Sequence, residues 1–313
     1  MKPFHFLADG RASASGKELA DKARRAESIG FHALVVPDHL GDQMSPISVM
    51  TAIAAATERL RVSAFVFNND LRHPAVLAQD LASLDLLSDG RLDIAIGAGW
   101  NKPEYDAIGI PFDPTPVRQA RLVEAISVLK GCFADGPFSF AGEHYTITDY
   151  DAGPKPVQKP HPPFLIGGGG RRTLELAGRE ADIVSLAPRI GKHRKVDARS
   201  LTFEATVEKI GWVREAAGNR LDRLEFNVYP SGSPVAVTDD LYGEARRVID
   251  SLKERTGVEL TEAEVLDSPH LFIGSIDHLV EKFEGLRERL GISSFMLGEI
   301  DELTPIVERL AGK

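Results

Sequence analysis

Residues 62–96, VSAFVFNNDLRHPAVLAQDLASLDLLSDGRLDIAI, read as a strand, a helix and a second strand. Residues 62–67 are a short apolar run that ends in Asn68-Asn69-Asp70. Arg72-His73-Pro74 opens a helix over residues 74–87, with the proline in the first turn, where its missing N–H costs little. Asp89-Gly90-Arg91 is a turn, and residues 92–96 form the next apolar run. Strands without a polar face that alternate with helices imply a parallel sheet buried on both sides.

The same rhythm extends in both directions. Upstream, strands are predicted over residues 3–8 and 32–37 and helices over 17–29 and 45–57. Leu19, Ala20, Ala23, Ala26 and Ile29 line one face of the first helix, and Gly30 stops it. Downstream come a long helix over 117–133, an alternating hairpin over 137–148 and a proline-rich linker over 154–163. Strands over 164–166, 182–186, 223–229 and 293–297 then alternate with helices over 172–178, 202–217, 241–255, 276–290 and 303–310. Residues 187–200, basic and marked by Gly and Pro, read as a loop or insertion. Eight strands interleaved with helices fit a (β/α)8 TIM barrel with insertions better than an open Rossmann sheet, and residues 1–313 read as one domain.

Composition narrows the class. With 313 residues, 43% hydrophobic and 27% charged, the chain is globular, and Cys132 as sole cysteine excludes a disulfide scaffold. The first nine residues lack the apolar core of a secretory signal, and no run reaches the length of a membrane span, so a cytoplasmic protein is expected. A net charge of −9 opposes nucleic-acid binding.

In a barrel the chemistry lies at the C-terminal ends of the strands. Asp38-His39 occupies one such end, either as a carboxylate and imidazole facing a common mouth or as a turn cap beside a solvated histidine. Gly97-Ala98-Gly99-Trp100 suggests a flat apolar partner lying close to bare backbone, or a glycine turn with a packing Trp. Gly167 to Gly170 follow a strand and precede a helix whose unpaired N–H groups suit an anion. Arg171 and Arg172 add charge, so this turn reads as a phosphate site or, more plainly, as a tight βα turn. It matches neither a P-loop nor a first-unit dinucleotide fingerprint. No His-Glu-x-x-His, close histidine spacing or Gly-x-Ser-x-Gly is present, so neither a metal nor a serine nucleophile is expected.

The stretch RHPAVLAQDLASLDLLSDGRLDIAIGAGW, residues 72–100, resembles the central signature of the luciferase-like flavin and deazaflavin oxidoreductases. Glu104, PFSFAGEHY, PKPVQKPHPP and IGGGGRRTLELAGREAD follow in that family's order, and the resemblance leans toward the subgroup using coenzyme F420. It implies a TIM barrel with a tricyclic ring across its mouth and hydride transfer to or from a small organic substrate, with FMN and oxygen, as in a monooxygenase, as the alternative. It also implies a non-proline cis peptide under the ring, placed by counting at Ala64-Phe65. Asp38 and His39 then fall among ring-contacting or proton-handling groups, Asn68 at the pyrimidine edge, and Gly168, Gly169 and Gly170 at the phosphate. Gly97 and Gly99 face the ring, Trp100 shapes the substrate side, and Lys192 is a weaker phosphate ligand beside Arg171. The basic residues 189–195 suit the cofactor's acidic oligoglutamate tail.

Two departures separate this chain from the family's sugar-phosphate dehydrogenases. They resemble it except for a Glu where Trp100 stands and a Trp where this chain reads Leu40-Gly41-Asp42. Their substrate is therefore not carried over. A homodimer through residues 45–57 and 74–87 is expected by analogy, and a cofactor-binding protein without turnover is the reading from another class.

Overall fold

The computed structural model describes residues 1–11, 15–190 and 196–313. Its elements in chain order are β1 (His5–Asp9), α1 (Gly16–Ile29), β2 (Ala33–Val36), α2 (Pro46–Ala56), β3 (Arg61–Ala64), β4 (Phe67–Asn68), α3 (Pro74–Leu87), β5 (Leu92–Gly97), α4 (Lys102–Ile108) and α5 (Thr115–Phe133). There follow β6 (Phe138–Ala141), β7 (Thr146–Tyr150), β8 (Phe164–Gly168), α6 (Arg171–Glu180), β9 (Ile183–Leu186), α7 (Phe203–Ala217) and β10 (Glu225–Val228). The last are β11 (Ala236–Val237), α8 (Leu241–Thr256), α9 (Glu262–Asp267), β12 (Ile273–Gly274), α10 (Ile276–Leu290), β13 (Ile292–Gly298) and α11 (Thr304–Leu310). Counting β3 and β4 as one interrupted strand, the eight expected strands are present, and the chain is a (β/α)8 TIM barrel.

Backbone contacts divide the chain into two compact units. One comprises Met1–Asp9, Ser28–Ala33 and Leu165–Lys313, the other Gly10–Glu27 and Leu34–Phe164. In the first, β1, β13, β10, β9 and β8 pair in parallel, with Ser294, Asn227, Ser185 and Gly167 in adjoining register. Its core includes Phe4, Phe6, Phe272, Phe283 and Phe295, with the last two rings 4.5 Å apart. The small β11–β12 pair and α9 belong to this unit and were not among the expected elements. α9 opens with a capping box in which Thr261 and Glu264 satisfy each other's backbone N–H groups.

In the second unit β5 pairs with both β3 and β4. The expected strand over 62–67 is broken by a non-proline cis peptide, which lies at Phe65-Val66 and not at Ala64-Phe65. The one-residue correction has a local reason. The Phe65 N–H still donates to the Val36 carbonyl at 2.8 Å, so the ladder runs through residue 65 before the chain turns. α3 opens with Pro74 at its start and the His73 side chain accepting from the Ala75 N–H. α4 was missed, because it is only two turns long and lies directly behind the glycine-rich strand end.

The β6–β7 hairpin is tethered to α5 by one carboxylate. Glu124 accepts the N–H groups of Glu143, His144 and Tyr145 at 2.8, 2.9 and 3.1 Å. Partial burial alone would raise the Glu124 pKa, but these donors outweigh it and hold the carboxyl below its usual range. The tether is therefore present above the ordinary glutamate range and is lost as pH falls through the lowered folded value. Glu124→Gln is expected to speed amide exchange at residues 143–145 roughly tenfold. Hydrogen-exchange mass spectrometry at neutral pH, corrected for intrinsic rates, measures this, and unchanged protection would refute the tether.

Candidate functional site

At the end of β2, Asp38 is buried and its two oxygens are fully engaged. Arg72 donates from Nη1 to Oδ2 at 2.6 Å and from Nη2 to Oδ1 at 3.0 Å, and the Asn68 N–H donates to Oδ2 at 2.9 Å. A bidentate guanidinium fixes geometry as well as charge. Through these contacts Asp38 joins the end of β2 to the start of α3 and orients the backbone at Asn68. Asn68 itself turns inward, its Oδ1 accepting from the Asp70 N–H at 3.1 Å and lying 2.9 Å from the Tyr105 hydroxyl.

The backbone at Gly97–Trp100 is held from several sides. Buried Arg118 donates to the Ala98 carbonyl at 3.0 Å and to the carbonyls of Gly99 and Asp113. Gly99 has φ +73, and a Cβ there would meet the Tyr105 hydroxyl at 1.9 Å and Asn68 Oδ1 at 2.4 Å. Tyr105 is fully buried, and its hydroxyl also lies 3.0 Å from Asp70 Oδ2. Desolvation and then the Asp70 charge push its pKa up to about 12, so it stays a neutral donor. Asp70 is held in turn by Arg121 at 2.9 Å. These side chains fill the space beside Gly99 and hold the main chain of Gly97, Ala98 and Gly99 in place. Ala64 is buried and Phe65 partly exposed just before the cis bond, and Val66 packs against Gly97, where a Cβ would sit 2.9 Å from its methyl.

His39 remains accessible beside this network. Its Nδ1 lies 2.8 Å from Glu104 Oε1, with side-chain exposures of 33% and 10% respectively. Trp100, 61% exposed, meets the imidazole edge-to-face at 5.6 Å between ring centres. Glu104 enters from the first turn of α4, one helical turn beyond Trp100. A carboxylate only accepts, so Nδ1 carries the proton in this contact. Sequence reasoning noted Glu104 without giving it a role, and missed Arg72, Tyr105 and Arg118 as site builders. None of the three lies within one turn of Gly97 or Gly99 in sequence, so no local signal marked them.

In the other unit, the glycine turn follows β8 and opens α6. Gly168 and Gly169 are there because of close approach: a Cβ would meet the Thr173 side chain at 2.7 Å and the Pro188 carbonyl at 2.4 Å. Gly170 is the N-cap, with no side-chain cap and nothing within 4 Å of its would-be Cβ. The turn thus offers an uncapped helix N-terminus with space before it. Arg171 points along the surface instead, pairing with Glu175 at 2.7 Å and Glu215 at 3.3 Å. Ser185, Asn227 and Ser294 form a buried hydrogen-bonded row across β9, β10 and β13. Lys192 lies outside the described residues. Among the described residues, no group of three or more His, Cys, Asp or Glu stands close enough to hold a metal, and no helix is long and apolar enough to cross a membrane.

The strand ends of one unit carry a clamped glycine backbone and an accessible imidazole, and the other carries an uncapped helix terminus. The chain belongs to the luciferase-like monooxygenase family, whose model matches residues 1–240. It is 37% identical over 141 residues to an FMNH(2)-dependent dimethylsulfone monooxygenase of Pseudomonas putida, covering 45% of this chain and 39% of that one. It is 34% identical over 188 residues to an F420-dependent glucose-6-phosphate dehydrogenase of Kineococcus radiotolerans, covering 56% of this chain and 54% of that one. The chain thus spans about half the length, or less, of these curated relatives. In fold it matches the coenzyme F420 dependent tetrahydromethanopterin reductase of Methanopyrus kandleri with a TM-score of 0.77 at 19% identity, over 99% of this chain and 98% of that one.

Proposed function

We propose that this chain is an oxidoreductase that binds the deazaflavin coenzyme F420 and transfers a hydride to or from a small organic substrate. The observation that carries the reading is the immobilised glycine backbone at Gly97, Ala98 and Gly99, clamped by Arg118 at the end of β5 in the same unit as the accessible His39. Taken by itself, the open, uncapped start of α6 at Gly170 fits a phosphate, which the Gly168, Gly169 and Gly170 amides would hold. When bound, the deazaflavin supplies hydride transfer at its central ring.

The protein's own contribution is positioning and proton handling. The Asp38–Arg72 pair fixes the Asn68 backbone, Arg118 and Tyr105 hold the glycine turn, Trp100 walls the substrate side, and His39 exchanges a proton with the substrate. Residues 1–313 act as one luciferase-like domain in this reading, in a cytoplasmic homodimer formed through α2 and α3. The second reading is an FMN-dependent monooxygenase, favoured by the similarity to the dimethylsulfone enzyme.

The test is a titration of cofactor-stripped protein with oxidised F420 and, separately, with FMN, following Trp fluorescence at fixed salt. F420 is expected to bind at least tenfold more tightly and to quench Trp100, with the signal reduced in Trp100→Phe. Preference for FMN would support the monooxygenase, and binding of neither would overturn the site.

A further inference from the structure

We infer that Glu104 is a positioning residue that locks His39 in the Nδ1–H tautomer, making Nε2 the only nitrogen through which His39 exchanges protons. What that proton does rests on the hydride-transfer reading; the tautomer itself does not.

The geometry is specific on three counts. First, Glu104 Oε1 lies 2.8 Å from Nδ1, and an ionised carboxylate has no hydrogen to give, so the proton in this contact belongs to the imidazole. A charge-assisted bond of this length is about twice as strong as one between neutral groups. Second, Glu104 Oε2 is buried and has no hydrogen-bond partner. A desolvated carboxylate with one oxygen unsatisfied depends heavily on the contact that remains, and that contact is His39. Third, the Trp100 ring meets the imidazole edge-to-face, at 85° and 5.6 Å between centroids, a contact that favours the ring orientation with Nδ1 toward Glu104.

A solvated histidine after β2 would have none of these constraints, and free imidazole side chains prefer the opposite, Nε2–H tautomer. Glu104 is thus placed behind the imidazole, while Trp100 takes the exposed position in front of it.

Long-range proton–nitrogen NMR of the 15N-histidine-labelled full chain at pH 8.5 reads the tautomer directly, with His39 assigned by the signal missing in His39→Asn. The expected result in the unsubstituted protein is a protonated Nδ1 and an unprotonated Nε2, favoured by at least roughly tenfold. Glu104→Gln, close in shape and checked for unchanged thermal unfolding, is expected to lose that preference and move toward Nε2–H. An Nε2–H tautomer in the unsubstituted protein, or the same tautomer ratio in Glu104→Gln, would overturn the inference. F420 titration of the same samples keeps the two ideas apart, since failure to bind defeats the proposed function without changing the tautomer.

Discussion

Asp38→Asn is expected to lower the unfolding free energy by about 3 kcal/mol, the lower end of the cost of leaving one member of a buried ion pair alone. The lower end applies because Arg72 keeps 23% side-chain exposure and part of its charge remains hydrated, whereas Asp38 is almost fully enclosed. The isosteric amide retains an oxygen for the Asn68 N–H but turns a neutral, partly donating edge toward the guanidinium. Urea unfolding measures the loss. Arg72 also lies 5.8 Å over the Phe67 ring, so Asp38→Leu with Arg72→Met fills the same space without charge and is expected to cost clearly less than the two single losses added together. The alternative, Asp38 as a proton-handling carboxylate, makes a different forecast. It requires Asp38→Asn to keep its stability and to lose only turnover, and that result would support the catalytic role.

The architecture was legible because its signal is repeated. Each strand of the parallel barrel is a short apolar run, and each helix follows at similar spacing, so an error in one boundary does not change the count. Residues 62–67 show the limit: the composition of a continuous strand covers two short ones, since a backbone break between Phe65 and Val66 leaves no mark on hydrophobicity. The site was legible only as a set of positions. Asp38 and His39 are neighbours at one strand end and read as a pair, yet the structure separates them, one closed by Arg72 and the other open beside Glu104. Those partners lie 34 and 65 residues away in sequence, and no local pattern predicts such a contact. The same holds for Gly99. Its need for a positive φ is suggested by its setting, but the buried hydroxyl that forbids a side chain comes from Tyr105 in a helix too short to be predicted.

Gly99→Ala should therefore be the most damaging small substitution in the site, costing about 3 to 5 kcal/mol in unfolding free energy and abolishing detectable cofactor binding. Two penalties combine. A left-handed φ of +73 costs an alanine roughly 1 kcal/mol or more, and the new methyl carbon would start 1.9 Å from the Tyr105 hydroxyl and 2.4 Å from Asn68 Oδ1. Neither neighbour yields cheaply, because Tyr105 is fully buried and both belong to the network that holds Asp70 and the Asp38 end of β2. Gly109 supplies the internal control. Its φ of +74 is nearly identical, but nothing lies within 4 Å of its would-be Cβ, so Gly109→Ala should show the backbone penalty alone, about 1 kcal/mol. Tyr105→Phe combined with Gly99→Ala should recover only part of the difference, since the Asn68 contact remains. Equal losses at Gly99 and Gly109 would mean that the turn relaxes freely, and a turn that relaxes freely offers no preformed surface for a flat ring.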